Sequence, residues 1–278
     1  MRFKRVYIEI TNCCNLHCHF CIHNHRQEKM MSVDDFHHVL KEVNDYSDYI
    51  YLHVLGEPLL HPHLDEILSL CDQYHKKVII TTNATLLKKR LNDLLHSCIQ
   101  TINVSLHSYY EHHQEHYLED IFTCAKVLSS HQIHVNYRFW QLQDGSLNAE
   151  MEDLLQQVYH HYQVDHTLVL RNLLRYDLAP YIHLHFYALF EWPSLQHSLV
   201  SEKGRCYGLK SMCGILVDGS VIPCCLDSKG DITLGNIFQQ NMNDILQGER
   251  TQQMLQGLQR QKLVEPLCQR CGYRRRFS

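Results

Sequence analysis

Short runs in which apolar residues alternate with polar ones are each followed by a stretch whose apolar residues recur at helical spacing, which predicts repeated βα units. Val6, Ile8 and Ile10 alternate with Tyr7 and Glu9, and Phe36, Val39, Leu40 and Val43 then mark a helix with Ser32 as N-cap and Asp34 and Asp35 in its first turn. The same grammar returns in Ile50 to Leu55 with a helix bearing Leu64, Ile67, Leu68 and Cys71. It returns again in Val78 to Thr82 with a helix bearing Leu91, Leu94, Leu95 and Cys98. Ile102, Val104 and Leu106 predict a fourth strand, followed by Leu118, Ile121, Phe122 and Ala125. Ile133, Val135, Tyr137 and Phe139 predict a fifth, followed by Met151, Leu154, Leu155 and Val158, and a sixth strand is expected around Leu168 to Leu170.

Tandem βα units imply a parallel sheet, either open and doubly wound or rolled into a barrel. Strands covered on both faces read as continuous apolar runs. Here the second face is polar, with Glu9, His53, Asn103, Ser105, His134, Asn136, Arg138 and Arg171. The expected fold is therefore α/β, a partial (β/α)6 TIM-like barrel over residues 1–175 that encloses a wet lumen; edge strands facing solvent are the alternative. An aromatic, His-rich connecting segment is expected over 176–204. From Arg205 the chain is cysteine-dense, with a hairpin signal at Asp218-Gly219 and two short helices near 241 to 260, a small domain over 205–278 that needs a metal staple.

Composition narrows the chemistry. The 278 residues include 13 cysteines and 23 histidines, and the net charge of −4 gives no electrostatic case for a nucleic-acid partner. No apolar run approaches the ~20 residues of a membrane span, and the first residues lack the features of a signal peptide. These observations predict a cytoplasmic protein, without a membrane partner, whose cysteines serve metal or redox chemistry rather than disulfides.

Cys14, Cys18 and Cys21 follow the first strand at spacings of three and two intervening residues. Three thiolates in one loop can ligate three irons of a [4Fe-4S] cluster and leave the fourth open; half a zinc site is the competing reading. The run from Ile8 to Cys21, including Phe20 before the third cysteine, resembles the signature of the radical S-adenosylmethionine (SAM) superfamily. The resemblance implies that Gly56-Glu57-Pro58 holds the SAM amino group, with Leu55 in place of a first glycine. It further implies that Asn83 and Ser105, at the ends of the third and fourth strands, contact SAM, Ser105 at its ribose or carboxylate. Arg138 is placed as a carboxylate partner. It implies cleavage of SAM to a 5′-deoxyadenosyl radical that abstracts hydrogen from a substrate, with a flavodoxin or ferredoxin-type electron donor.

Cys206, Cys224, Cys268 and Cys271 form a second constellation, and the stretches Gly219 to Asp227, Leu234 to Ile237 and Cys268 to Cys271 are similar to the SPASM/twitch extension of the same superfamily. There the extension binds an auxiliary [4Fe-4S] cluster. With seven residues after Cys271, the shorter single-cluster twitch form is expected. Cys225 is an alternative to Cys224 as ligand, and a structural zinc ribbon is an alternative to the cluster. A four-thiolate cluster with no open iron suits electron transfer, which predicts net oxidation of the substrate. Cys71, Cys98 and Cys124 read as core.

His112, Glu115 and His116 spell the H-x-x-E-H of a zinc peptidase, a pattern that 23 histidines produce by chance and that lacks a recognisable further ligand. A non-catalytic iron-sulfur or zinc module leaves Glu57 and Ser105 unexplained. Because the chain begins close to its first strand, with no peptide-recognition module before it, a small polar molecule or short peptide is the expected substrate. A ribosomal-peptide maturase that crosslinks or epimerises is the alternative. Arg171 is a candidate catalytic residue, anchoring an anionic group or transferring a proton.

Overall fold

The computed structural model describes residues 1–111, 114–142, 146–165 and 175–277. In chain order the elements are β1 (Arg5–Ile8), α1 (Val33–Val43), β2 (Tyr49–Tyr51), α2 (Leu64–Gln73), β3 (Lys77–Thr82), β4 (Ile99–Val104), α3 (Tyr117–Ser130), β5 (His134–Leu142), α4 (Ala149–Tyr162), β6 (Arg175–Ala179) and β7 (Ile182–Ala188). They continue with β8 (Met212–Ile215), β9 (Ser220–Ile222), β10 (Gly235–Asn236), α5 (Met242–Gln247), α6 (Glu249–Gln259) and α7 (Pro266–Gln269). Two compact units result: one of Met1–Asn15, Phe20–Val78 and Phe190–Ser278, the other of Leu16–His19 and Ile79–Leu189. No helix among the described residues is long and apolar enough to cross a membrane.

In the first unit the strands run in the order β10-β9-β8-β1-β2. β1 is parallel to β2, with Val6 opposite Ile50, and parallel on its other edge to β8, with Val6 opposite Cys213. Val6, Ile8 and Ile50 are fully buried, as are Phe36, Val39, Leu40 and Val43 of α1. Ser32 caps α1 as expected, its hydroxyl accepting from the Asp35 amide at 3.0 Å. The hairpin at Asp218-Gly219 forms between antiparallel β8 and β9. Gly219 sits at φ +85°, and a Cβ there would stand 2.4 Å from the Phe238 ring, so glycine is required at this turn. The segment carrying α5 to α7 is fastened by Arg250, whose guanidinium meets Glu265 bidentately at 2.7 and 2.8 Å.

In the second unit β3 is followed laterally by β4, β5, β7 and β6. β4–β5 and β5–β7 are parallel, whereas β6 returns antiparallel to β7. The strands have two unlike faces. Val135, Tyr137 and Phe139 of β5 and Leu184 and Phe186 of β7 are buried, and Tyr137 lies against α3 and α4 through Phe122, 6.1 Å between ring centroids, and through the Tyr162 hydroxyl at 2.8 Å. The alternate positions carry Asn103, Asn136, Arg138, His183 and His185, with Asn136 donating to Asn103 at 2.9 Å. This is the polar second face expected of a barrel lumen.

Three expectations change. The helix anticipated over Leu91 to Cys98 is a short 3-10 turn at Asn92–Leu95, because bonds from Leu87 to Ala84 and from Leu91 to Lys88 tighten the approach to it. The second strand spans Tyr49–Tyr51 alone, although Leu52, Val54 and Leu55 beyond it stay buried. The position expected for a sixth strand, Leu168 to Leu170, lies outside the described residues. The parallel neighbour of β5 is β7, within the stretch read as connecting, where Ile182, Leu184 and Phe186 alternate with His183, His185 and Tyr187.

Replacing the fully buried Phe36 by Ala is expected to cost about 3–5 kcal/mol, read as a lowered urea midpoint of the transition that follows α1.

Candidate functional site

β1 ends at the loop that carries the first cysteine set, and that loop is shaped by one buried carboxylate. Glu9 is 0% exposed, and Arg26, five residues past Cys21, donates to its two oxygens at 2.6 and 2.7 Å. The same carboxylate accepts the Leu55 amide, just ahead of Gly56-Glu57, and the Val217 amide in the β8–β9 turn, both at 3.1 Å. Arg26 also donates from Nε to the Ser228 carbonyl at 3.0 Å. Burial pushes the Glu9 carboxyl above its ordinary range, and Arg26 with the two amides opposes that push. Glu9, expected among lumen-facing polar residues, is thus consumed in a four-donor seat.

Within the first unit Gly56 packs on this loop. At φ +76° its Cβ position lies 2.4 Å from the Thr11 carbonyl oxygen and 2.9 Å from that of Cys13, so any side chain would break the contact. The Glu57 amide donates to the Cys13 carbonyl at 2.8 Å, and the buried Glu57 carboxylate caps the Leu59 amide at 3.0 Å. Asn12 completes the loop, accepting the Lys29 amide at 2.7 Å and donating to the Gln27 carbonyl at 2.9 Å. On this loop Cys14 is exposed, Cys18 buried and Cys21 half-buried, and Phe20 is half-buried.

In the second unit Asn83 is buried at the end of β3, accepting the Thr85 amide at 3.0 Å, and the Ser105 amide donates to the Thr82 carbonyl at 2.9 Å. Arg138 lies with its guanidinium carbon 4.0 Å from the centre of the Trp140 ring and 5.7 Å from that of Tyr187. His107 accepts no charge there. Its ring stacks on Trp140 and bonds the Arg138 carbonyl at 3.1 Å, and burial depresses its pKa to about 4. Arg171 and His112 lie outside the described residues, and His116 pairs with Glu119 at 2.8 Å.

The second cysteine set lies in the first unit. A Cβ at Gly208 would stand 3.6 Å from the Cys224 Cβ and 3.7 Å from the Cys206 sulfur, and charge on Cys206 and Cys268 raises the Cys224 thiol as charge on Cys206 and Cys271 raises that of Cys268, so the four lie in one neighbourhood. Burial pushes Cys224, Cys268 and Cys271 upward. Cys225, next to Cys224, packs against the cluster of Tyr7, Val54, Leu216 and Ile222. Amides two residues further along point at the sulfurs, Gly208 at Cys206 and His23 at Cys21, each at 3.4 Å, and likewise Leu226 at Cys224 and Tyr273 at Cys271. Amide donors favour the thiolate, the form that binds metal, so this donor set fits an iron-sulfur cluster. Among the described residues no three His, Cys, Asp or Glu side chains close on a single metal ion.

Comparison with known proteins places these features. The family model described as the Radical SAM superfamily matches residues 8–158, and one described as an iron-sulfur cluster-binding domain, SPASM, matches residues 206–272. The chain belongs to the radical SAM superfamily and carries a SPASM domain, which implies SAM and [4Fe-4S] clusters as cofactors. The fold is that of the structure of BtrN in complex with AdoMet and 2-DOIA, at TM-score 0.62 and 18% identity, covering 98% of this chain and 94% of that one. Streptococcus suis SuiB bound to the precursor peptide SuiA superposes at TM-score 0.60 with 19% identity, over 98% and 70%. The fold is thus the radical SAM partial barrel with a C-terminal cluster domain.

In sequence, the antilisterial bacteriocin subtilosin biosynthesis protein AlbA of Bacillus subtilis is 25% identical over 85% of this chain and 58% of its own. The GTP 3′,8-cyclase of Helicobacter pylori (strain ATCC 700392 / 26695) is 31% identical over 37% of this chain, which spans 34% of that relative. The chain thus spans about a third of the length of the cyclases it matches.

Arg26, His183 and His185 were not singled out by the sequence. Arg26 carries no local signal, whereas the strict alternation from Ile182 to Tyr187 marks a half-buried strand whose polar face holds the histidines.

Two outcomes follow. Glu9→Gln leaves the Arg26 cation buried without its counter-charge and is expected to cost about 3–5 kcal/mol, with iron lost from the purified protein, measured by urea unfolding and iron assay. His107 is neutral in the fold with a pKa of about 4 against about 6.5 unfolded, so the unfolded chain binds more protons between those values. Stability is therefore expected to fall on acidification from pH 6.5 towards 4, and His107→Gln to flatten that dependence of the urea midpoint.

Proposed function

We propose that this protein is a radical SAM oxidoreductase acting on a small polar molecule or short peptide, supplied with electrons by a flavodoxin or ferredoxin-type donor. The observation that carries this reading is that the segment matched by the SPASM model holds Cys206, Cys224, Cys268 and Cys271, four thiols being enough to saturate an auxiliary [4Fe-4S] cluster. Cys14, Cys18 and Cys21 hold the cluster that binds SAM, and Cys206, Cys224, Cys268 and Cys271 hold the auxiliary one. When bound, these groups supply a 5′-deoxyadenosyl radical that removes a hydrogen atom from the substrate, and an acceptor for the electron that the oxidised substrate gives up.

The chain's own residues position and shield. The carbonyls of Thr11 and Cys13 meet Gly56 and the Glu57 amide, which keeps the proposed holder of the SAM amino group in register with the cysteine loop. In the second unit Asn83, Ser105 and Arg138 are the proposed contacts to SAM. Arg138, held against two aromatic rings, presents a guanidinium suited to a carboxylate. The amides directed at the sulfurs of Cys21, Cys206, Cys224 and Cys271 give each of these ligands a hydrogen-bond donor.

The small-molecule reading is supported by the fold shared with BtrN, whose structure was solved in complex with AdoMet and 2-DOIA. The second reading, a ribosomal-peptide maturase, is favoured by the likeness to AlbA over 85% of this chain and by the SuiB fold, solved with a precursor peptide.

Anaerobically reconstituted protein is expected to bind about eight irons and, with SAM and dithionite, to form 5′-deoxyadenosine. Replacing Cys14, Cys18 or Cys21 by Ala should abolish that product, while Cys268→Ala or Cys271→Ala should retain SAM cleavage. Zinc without sulfide, or no 5′-deoxyadenosine from iron-replete protein, would sink the proposal.

A further inference from the structure

Within the first unit a surface pocket of about 210 Å³ opens beside Cys206, walled by Arg205, Tyr207, Lys210, Gln259, Gln261 and Phe277. It gathers three stretches of chain, 203–210, 257–264 and 272–277. Together these contain eight lysines and arginines and no aspartate or glutamate, although the chain as a whole has a net charge of −4. Part of that charge is already engaged. Arg274 is buried and donates to the carbonyls of Lys203 and Ser201 at 3.0 and 3.2 Å, and Arg276 lies over the rings of Phe190 and Tyr273. Arg205 and Lys210 differ from these. Both are exposed, and among the described residues no carboxylate pairs with either and no hydrogen bond engages either side chain. Arg260 and Lys262, also exposed, flank Gln261 in sequence.

Aromatic rings stand among these cations. Tyr207 is 50% exposed, and its ring meets that of Phe277 edge-on, with 4.6 Å between centroids. An aromatic pair bordered by arginine and lysine has the make-up of a protein contact, in which rings form the buried centre and charges the rim. The pocket is also smaller than the roughly 300–1,000 Å³ of sites that enclose a small molecule. Cys206 indicates the kind of protein. It is half-buried in the pocket wall and is one of the four thiols assigned above to the auxiliary cluster. A partner seated here stands beside a ligand of that cluster, and the modest extent of the surface suits a transient redox encounter. Exposed cations with no acidic neighbour in these stretches favour a partner of negative charge and speed its approach.

We propose that the surface around Arg205, Tyr207 and Lys210 docks an acidic one-electron carrier protein of the flavodoxin or ferredoxin class, in its oxidised form, which takes up the electron released when the substrate is oxidised. The assignment rests on the oxidoreductase reading above and adds to it the place and charge of the partner. For each substrate molecule, one hydrogen atom goes to the 5′-deoxyadenosyl radical. The remaining electron passes to the carrier, which is reduced by one electron, and the accompanying proton is released to solvent. Arg205 and Lys210 act here as docking residues.

The test uses anaerobic, fully reconstituted holoenzyme titrated calorimetrically with oxidised flavodoxin, an acidic carrier, and with cytochrome c, a basic one. Flavodoxin is expected to bind saturably at low salt and about tenfold more weakly when salt is raised from roughly 50 to 200 mM, and cytochrome c not to bind. Lys210→Glu is expected to weaken flavodoxin binding roughly tenfold with iron content unchanged. Lys126→Glu, the same charge change at an exposed lysine of α3, is expected to leave binding in place. On the unaltered enzyme, a carbodiimide, which joins a lysine to a carboxylate in contact with it, is expected to couple Lys210 to flavodoxin, as mapped by peptide mass spectrometry. No binding, equal binding of cytochrome c, equal weakening by the two substitutions, or crosslinks that omit Lys203, Lys210 and Lys262 would each overturn the proposal. Tighter binding of a single-stranded RNA than of flavodoxin would overturn it by assigning the surface to nucleic acid. Because binding is measured without SAM or substrate, its result is read separately from 5′-deoxyadenosine formation, on which the oxidoreductase reading stands or falls.

Discussion

The carboxylate of Glu9 is the point on which the first unit is organised. A fully buried charge is tolerated only where fixed donors replace its hydration, and Glu9 has four of them: two from Arg26 and the amides of Leu55 and Val217. Those donors come from the cysteine loop, the turn before Gly56 and the hairpin turn of the SPASM domain. Each must stand at a set place for the charge to be satisfied, so one carboxylate fixes three backbone segments. Arg26 extends the same constraint to the Ser228 carbonyl, a few residues beyond Cys224. Within this unit the segment after Cys21 and the segment after Cys224 are thereby tied to one ion pair.

The second unit follows a different rule. Its strands are apolar on one side, where helices cover them, and polar on the other, where hydrogen bonds run from strand to strand: Asn136 to Asn103, His134 to His183, His183 to Asp177. Most of the buried polar atoms on this face find partners among their neighbours, as burial requires.

How much of this was legible depended on whether the signal was local. The βα grammar predicted β1, β3, β4 and β5 and helices α1 to α4, because period and capping are properties of neighbouring residues. Cys71 and Cys124 proved buried as their helical positions suggested, and Cys98 is buried although the helix expected to carry it does not form. The stretch from Ile182 to Tyr187 was misread although its alternation was strict, since histidine on every second position masked the strand as a polar connection. The helix expected over Leu91 to Cys98 failed because its leucines are also compatible with tight i to i+3 turns, and Ala84 at φ +64° enters the segment by a turn rather than by a cap.

The sequence by itself carried the chemistry: three cysteines after the first strand and four in the C-terminal segment, within stretches whose resemblance to the radical SAM superfamily implies its cofactors. Thiolate ligation demands particular atoms at short, regular separations along a loop, and such separations are written in the chain. Tertiary structure alone decided that Glu9 is a buried clamp rather than a lumen residue and that Arg138, His185 and Arg175 stand in one register row. Those outcomes rest on strand register and on donors that lie up to about two hundred residues away in sequence, such as Val217 on Glu9. A pairing of that range is set by how the whole sheet packs, and no window of sequence contains it.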